Sequence, residues 1–88
     1  MSDFDDQLER FVDKLRQERD DLRVRAHLLR AELRDEWEDV EHKWHELEPR
    51  LERLRTASRE STGDIGAAIE QLGEEIGHAY RRLREALK

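Results

Sequence analysis

Residues 65–86 read IGAAIEQLGEEIGHAYRRLREA, and the spacing within this stretch sets the fold. Its apolar side chains recur at alternating steps of four and three, the period of a helix that packs one face against another helix. These side chains are Ile65, Ile69, Leu72, Ile76, Ala79, Leu83 and Ala86. The stretch therefore predicts a second helix that covers about residues 63–87.

A longer stripe with the same kind of spacing precedes it, apart from one missing step near Glu18. Its members are Phe4, Leu8, Phe11, Leu15, Leu22, Ala26, Leu29, Leu33, Trp37, Val40, Trp44, Leu47, Leu51 and Leu54. Glycine is absent before Gly63, and Pro49 is the single proline. The spacing predicts one long helix over about residues 3–58, followed by a loop at 58–64 in which Gly63 ends helix 1 or Ser61 caps helix 2.

Pro49 interrupts the hydrogen bonding of that long helix, because proline has no backbone N–H. Relative to Trp44 it lies at the outermost heptad position, where water can reach the carbonyl that it leaves unbonded. We expect a kink at Pro49, and a true break with a short helix from 49 to 58 stays open as the alternative. The expected fold is all-α: helix 1, kinked, with helix 2 folded back as an antiparallel coiled-coil hairpin.

The hairpin register follows from matching the two stripes. Trp44 opposite Ala79 and Leu51 opposite Leu72 both have residue numbers that sum to 123. The same sum pairs apolar residues through the whole hairpin, and the flanking pairs are then Arg50 with Glu75 and Lys43 with Arg82. The predicted packing residues are Trp37, Val40, Trp44, Leu47, Leu51, Leu54, Ile65, Ile69, Leu72, Ile76, Ala79, Leu83 and Ala86. Glycines at 66 and 73 predict a close approach of the helices near the loop.

Residues 4–33 have no partner within this hairpin, and an exposed apolar stripe indicates an interface. We expect an antiparallel homodimer through Phe4, Leu8, Phe11, Leu15, Leu22, Ala26, Leu29 and Leu33. The stripe is its own mirror image, since paired residue numbers sum to 37, with the two-fold axis between Glu18 and Arg19. The alternative is that the chain turns at residues 18–21 and folds back on itself.

Composition limits the function classes. The chain of 88 residues forms one domain at most, with a dimerisation segment at 4–33 and a hairpin at 37–87. A net charge of −6 makes nucleic acid an unexpected partner. No apolar run has the length of a membrane span, and the acidic first residues do not resemble a signal peptide, so we expect a cytoplasmic protein. The absence of cysteine excludes disulfides and thiolate chemistry.

The densest polar cluster is residues 38–46, where Glu41 and His45 are four apart and His42 and His45 three apart. Such spacing can place two ligands on one metal. Both histidines fall at outward heptad positions, so we expect helix ion pairs there and no essential metal site. No arrangement in the sequence predicts a nucleophile, an oxyanion partner or a phosphate loop, so we expect neither catalysis nor a cofactor.

Residues 37–87 resemble small, mostly uncharacterised bacterial coiled-coil proteins that end in a helical hairpin. The resemblance lies in Trp44, Leu51, Leu54, Ala57-Ser58, Asp64-Ile65, Ala68, Leu72 and Ala79-Tyr80. The chain departs from the usual lysine- and alanine-rich members through its arginines and Pro49. The resemblance implies a fold and little about activity.

We therefore expect a self-associating structural or adaptor protein that acts through helix–helix interaction, with a stress-related role as one option and an unidentified protein as a further partner. A peripheral protein that binds lipid or another surface through its amphipathic helices is the alternative. A metal-binding helical protein that uses His42 and His45 is a remote alternative.

Overall fold

The structure, a computed structural model, describes residues 3–57 and 62–88, with side chains from Asp6 onward in the first range. Its helices are α1 (Asp3–Arg25), α2 (Ala31–Thr56) and α3 (Thr62–Ala86), and a 3₁₀ turn, Ala26–Leu28, joins α1 to α2. The described residues contain no strand, so the all-α class is confirmed. The molecule measures 44 × 18 × 16 Å, which is too short for a helix of residues 3–58, about 80 Å long.

The prediction of one continuous helix 1 is therefore wrong, because the chain reverses at residues 26–30. Leu29 (φ −74°, ψ 143°) and Arg30 (φ −69°, ψ 161°) are extended and separate the 3₁₀ turn from α2. The N–H of Leu29 donates to the Ala26 carbonyl at 3.1 Å. The Arg34 side chain donates to the carbonyls of Leu29 (3.0 Å) and His27 (3.3 Å). A side chain thus satisfies carbonyls that this turn leaves without helical partners.

Pro49 lies inside α2, and the helix continues beyond it to Thr56. The alternative of a break at Pro49 is therefore wrong, while the kink stays a prediction. Gly63 is in the first turn of α3, so it does not end the preceding helix. Residues 58–61 of the predicted loop, with the predicted cap at Ser61, lie outside the described part of the chain.

Contacts between α2 and α3 differ from the predicted flanking pairs. Lys43 forms an ion pair with Glu75 (3.6 Å), and Glu36 pairs with Arg82 (2.5 Å). Both pairs have residue numbers that sum to 118, whereas the predicted flanking pairs sum to 125, so these contacts are displaced by seven residues, one heptad. The ends of the helices explain the difference, because Thr56 and Thr62 also sum to 118. Lys43 thereby meets an acidic partner in place of Arg82.

Helix α1 packs against α3, and it forms ion pairs with both other helices of the same chain. Arg19 pairs with Glu41 (2.7 Å) and Glu9 with Arg55 (2.8 Å) on α2, while Glu18 pairs with Arg84 (2.8 Å) on α3. As α1 advances its α2 partners come earlier in the chain, so α1 and α2 run in opposite directions. The three helices form a bundle around one core.

The stripe that predicted a dimer is buried inside this bundle. Its leucines at 8, 15, 22 and 29 are 1–4% exposed, and Phe11, Ala26 and Leu33 pack against the same core. The Phe4 side chain lies outside the described part. The uncovered stripe that motivated a dimer across residues 4–33 is thus covered within the chain. The alternative turn at 18–21 is also wrong, because α1 runs through these residues without a break.

Glycine on α3 allows α1 to approach closely, at Gly73. A Cβ atom on Gly73 would lie 2.4 Å from Cε2 of Phe11, and a Cβ on Gly77 would lie 3.7 Å from Cδ2 of Leu15. The first distance is a clash and the second is an ordinary contact. The absent side chain at Gly73 therefore sets how closely Phe11 packs on α3.

These two glycines give a matched test. Gly77→Ala is expected to stabilise the protein by about 0.5–1 kcal/mol, because alanine favours a helix more than glycine does. Gly73→Ala has the same gain in propensity, but the displaced Phe11 ring costs about 1–3 kcal/mol. Urea unfolding followed by circular dichroism should place Gly73→Ala below Gly77→Ala in stability. Equal stabilisation of both variants would contradict the close packing of Phe11 on α3.

Candidate functional site

A cluster of polar and aromatic side chains lies at the middle of the bundle, where the sequence has its missing apolar step. The residue on that face of α1 is Arg19, four positions after Leu15 and three before Leu22. Its side chain is 16% exposed. Arginine can occupy such a position because its methylene stem packs on apolar neighbours while the guanidinium reaches a partner.

The partner of Arg19 is Glu41 on α2. Nε of Arg19 donates to Oε1 of Glu41 (2.7 Å), and Nη2 donates to Oε2 (2.8 Å). This two-point geometry fixes the relative position of the two helices more narrowly than a single contact does. The dimer prediction placed Arg19 against Glu18 of a second chain, but Glu18 pairs with Arg84 on α3 instead.

Trp44 lies beneath the cluster. The guanidinium carbons of Arg19 and Arg16 are 5.4 Å and 5.6 Å from the centre of the Trp44 ring, within the range of cation–π attraction. Trp44 and Tyr80 are both 0% exposed. Trp37 lies beside Tyr80, with ring centroids 6.3 Å apart. One ion pair and three rings thus join α1, α2 and α3 at one level of the bundle.

Two buried donors in this cluster have no partner within the described residues, Nε1 of Trp44 and the hydroxyl of Tyr80. Burial raises the pKa of the Tyr80 hydroxyl above its ordinary range, and the charge of Glu41 adds to that rise. The hydroxyl therefore stays protonated and neutral near pH 7. A neutral phenol among closely packed rings is a packing element and a poor proton donor.

The Arg19–Glu41 pair predicts a pH dependence of stability. The hydrogen bond from Arg19 holds the pKa of Glu41 below its ordinary value. A carboxyl with a lowered folded-state pKa adds stability above its unfolded pKa, and that stability is lost as the pH falls through the folded pKa. We expect Arg19→Met to lower the free energy of unfolding by about 1–2 kcal/mol at pH 7. This value is modest because both side chains of the ion pair are partly exposed to solvent. In urea unfolding, its deficit relative to the unsubstituted protein should shrink below about pH 4.

The control for this prediction is Arg16→Met, which removes the other cation above Trp44 and leaves the Arg19–Glu41 pair in place. Arg16 pairs with Asp13 on its own helix, and the two side chains are 40% and 59% exposed respectively. Loss of Arg16 should therefore change the free energy of unfolding little at both pH 7 and pH 3. A deficit of Arg19→Met that stays constant down to pH 3 would contradict a role for the Glu41 charge.

A second feature lies at the end of the bundle formed by the α1–α2 turn. Val24 and Leu28 are the large hydrophobic side chains that are exposed in the described part of the chain, at 74% and 63%. They are four residues apart: Val24 lies in the last turn of α1, and Leu28 is the last residue of the 3₁₀ turn Ala26–Leu28. Single exposed hydrophobic residues are common, but two at one turn form a small apolar surface. We call this pair the turn surface.

The predicted hairpin residues lie as follows. Ala86 is exposed, and the others belong to the core or pack against it: Trp37, Val40, Trp44, Leu47, Leu51, Leu54, Ile65, Ile69, Leu72, Ile76, Ala79 and Leu83. Sequence reasoning missed Val12, which is 0% exposed, as Tyr80 also is. The signal in the sequence is two adjacent apolar residues. Phe11–Val12 and Ala79–Tyr80 each widen an apolar stripe, so that one helix can face two neighbours.

His42 and His45 are exposed, and they line a shallow groove of about 270 Å³ with Trp37, Glu38 and Glu41. Among residues whose side chains are described, no group of three or more histidine, aspartate or glutamate side chains could hold a metal ion. The remote metal-binding alternative therefore receives no geometric support from this face of α2.

No protein-family model, curated protein or solved structure matches the chain. The resemblance to small bacterial coiled-coil proteins therefore stays a prediction. Within the described ranges, no helix has the length and apolar character needed to cross a membrane.

Proposed function

We propose that the chain is a structural or adaptor module that associates with a second copy of itself through helix–helix contacts. In this proposal α2 and α3 form an antiparallel hairpin, and α1 and the turn surface make the contact between copies. The turn surface carries the proposal, because Val24 and Leu28 are exposed while the other large hydrophobic side chains of the described core are covered.

The frequency of two-fold symmetry among oligomers favours a second copy as the partner. Two-fold dimers are the commonest oligomers of soluble proteins, and they place the same surface of both chains in contact. The end of the bundle is small, since the molecule is 18 × 16 Å across. A rigid end-to-end contact of that size falls well below the ~800 Å² per partner of a typical stable interface. Stable association would therefore need more than the turn surface alone.

The test is self-association of the full chain by sedimentation equilibrium from low micromolar to millimolar concentration. Val24→Gln with Leu28→Gln removes the exposed apolar groups without touching the core, and should weaken dimerisation at least tenfold. Asp21→Gln with Arg25→Gln is the matched control. Both residues are exposed on the same stretch of α1, and their replacement leaves the net charge unchanged.

The outcomes separate the proposed classes. A chain that stays monomeric at all concentrations contradicts the proposal. Flotation of the monomer with phosphatidylglycerol vesicles, abolished by the substitutions at Val24 and Leu28, would instead support the alternative of a peripheral lipid-binding protein. In that alternative the same two side chains would insert into the headgroup region.

A further inference from the structure

The α1–α2 turn interrupts a stripe that the sequence continues straight through it. Leu22, Ala26, Leu29, Leu33 and Trp37 follow one another at steps of three and four, the spacing of one uninterrupted helix face. The structure breaks this face at Leu29 and Arg30, which are extended. Local sequence preference and the observed turn therefore disagree at one place in the chain.

The turn segment favours a helix. Residues 26–31 read AHLLRA and contain no glycine, proline or asparagine, the usual turn residues. Alanine, leucine and arginine are among the best helix formers. In the turn, the Arg34 side chain bonds the carbonyls of Leu29 and His27. If this segment became helical, Arg34 would stay in a helix. No residue of the segment is a glycine or proline that requires the turn conformation.

The contacts between α1 and α2 are also compatible with an antiparallel arrangement of two copies of the chain. Arg19 pairs with Glu41 and Glu9 with Arg55, so the residue numbers of these contacts sum to 60 and 64. Residue pairs whose numbers sum to about 62 are arranged symmetrically about residue 31, which lies next to the turn. If α1 and α2 formed one straight helix, two copies could lie antiparallel about residue 31 and keep every α1–α2 contact, now between chains. Leu29 would then face the partner's Leu33.

We propose that the self-association is an exchange of α1 between two copies of this chain, with residues 26–30 straightening into helix. Each α1 takes the place of the partner's α1 against α2 and α3, so the buried face of Leu8, Val12, Leu15 and Leu22 is preserved. The two long helices cross at residues 24–38, around the contact of Leu29 with the partner's Leu33. The exchange supplies the contact area that the turn surface lacks, and it rests on the proposed function.

Crosslinking distinguishes exchange from simple docking, because the chain contains no cysteine. Glu9→Cys with Arg55→Cys replaces an α1–α2 ion pair, and Lys43→Cys with Glu75→Cys replaces an α2–α3 ion pair. The dimer fraction is isolated by size exclusion, treated with a short bismaleimide and run on a denaturing gel. Exchange predicts that the first pair joins two chains and that the second pair joins residues of one chain.

A proline at residue 30 tests the straightening step. The φ of Arg30 is −69°, which proline adopts, and Leu29 before it has the extended conformation that precedes proline. Arg30→Pro therefore fits the closed turn but breaks a helix through residues 26–31. Dimerisation should weaken at least about 100-fold, the effect of a proline inside a helix. Arg30→Ala is the matched control, and it should dimerise as the unsubstituted protein does.

Arg34→Ala gives the opposite change, because it removes the side chain that bonds the turn carbonyls. It should increase dimerisation about tenfold or more, since bonds from a charged donor are lost in the closed form alone. Circular dichroism of each variant verifies that the bundle is folded.

Three outcomes are possible. A dimer whose 9–55 crosslink joins two chains, and which Arg30→Pro abolishes, supports the exchange. A dimer whose 9–55 crosslink stays within one chain overturns the exchange while the proposed self-association stands. A chain that remains monomeric, even as Arg34→Ala at millimolar concentration, overturns both.

Discussion

Replacement of Leu15 and Leu22 by glutamate is expected to unfold the whole bundle. These side chains are 3% and 1% exposed in the core that α1 shares with α2 and α3. Loss of one buried leucine costs about 2–5 kcal/mol, and a carboxylate in its place adds the cost of burying a charge. The total stability of a small domain is about 5–15 kcal/mol. Far-UV circular dichroism should therefore show no cooperative unfolding transition for the double variant.

The control for this prediction is Gln7→Glu with Gln17→Glu, which adds the same two negative charges at exposed positions of α1. It should keep the helical signal and nearly the full stability, since surface substitutions have small effects. The dimer predicted through residues 4–33 would behave differently, because its N-terminal half would fray while the hairpin at 37–87 stayed folded. Loss of helix limited to the 23 residues of α1 would thus contradict a shared core.

The helical class of the protein was predictable because period is a strong signal. Alternation of four and three steps through Ile69, Leu72 and Ile76 has no strand equivalent. Pro49 was also interpreted correctly in one respect, since α2 contains it without ending there. In both cases the information is local, in the spacing of a few neighbouring residues.

The turn at residues 26–30 was not predictable by the same reasoning. Turn assignment relies on glycine, proline and asparagine, and the chain reverses without them. What favours the reversal is distant in sequence. Straightening in a single chain would leave Leu15 and Leu22 without the cover of α3. Local helix propensity does not include that contribution. Arg34 completes the turn from the following helix, a role that its position in the sequence does not reveal.

The pairing of α2 with α3 illustrates a second limit. Apolar residues at heptad spacing match again after a slip of seven residues, so spacing alone leaves the register open by one heptad. The observed pair of Lys43 with Glu75 removes the like-charge contact between Lys43 and Arg82 that the predicted register accepts. The charges of the flanking residues therefore distinguish the two registers, and they favour the observed one.

The central cluster lies where the sequence lacks one apolar residue of the stripe. The gap near Glu18 predicted an interruption of the stripe, whereas Arg19 fills it and pairs with Glu41. A partly buried ion pair is weak evidence for stability, but it disfavours other alignments of the helices, because a slip would leave a partly buried charge without its partner. We infer that the cluster specifies the alignment of α1 with α2, in one chain or between two.

Trp44→Ala is expected to cause the largest loss of any single substitution in this cluster. The side chain is 0% exposed, and a tryptophan-to-alanine change in a core costs about 3–5 kcal/mol. It also removes the ring that faces the guanidinium groups of Arg16 and Arg19. The urea midpoint, followed by circular dichroism, should fall by a large fraction of its value or vanish, because this loss approaches the stability of a small domain.

Trp37→Ala is the matched control, since Trp37 is half-buried at the edge of the same cluster beside Tyr80. Its cost should be roughly half as large, in proportion to the apolar area that it removes from contact. Each variant keeps one tryptophan, so fluorescence reports the site that remains. Trp44 alone should emit as a buried indole and lose that emission on unfolding, whereas Trp37 alone should emit closer to a solvated indole. Equal losses of stability would contradict the burial of Trp44 at the centre of the cluster.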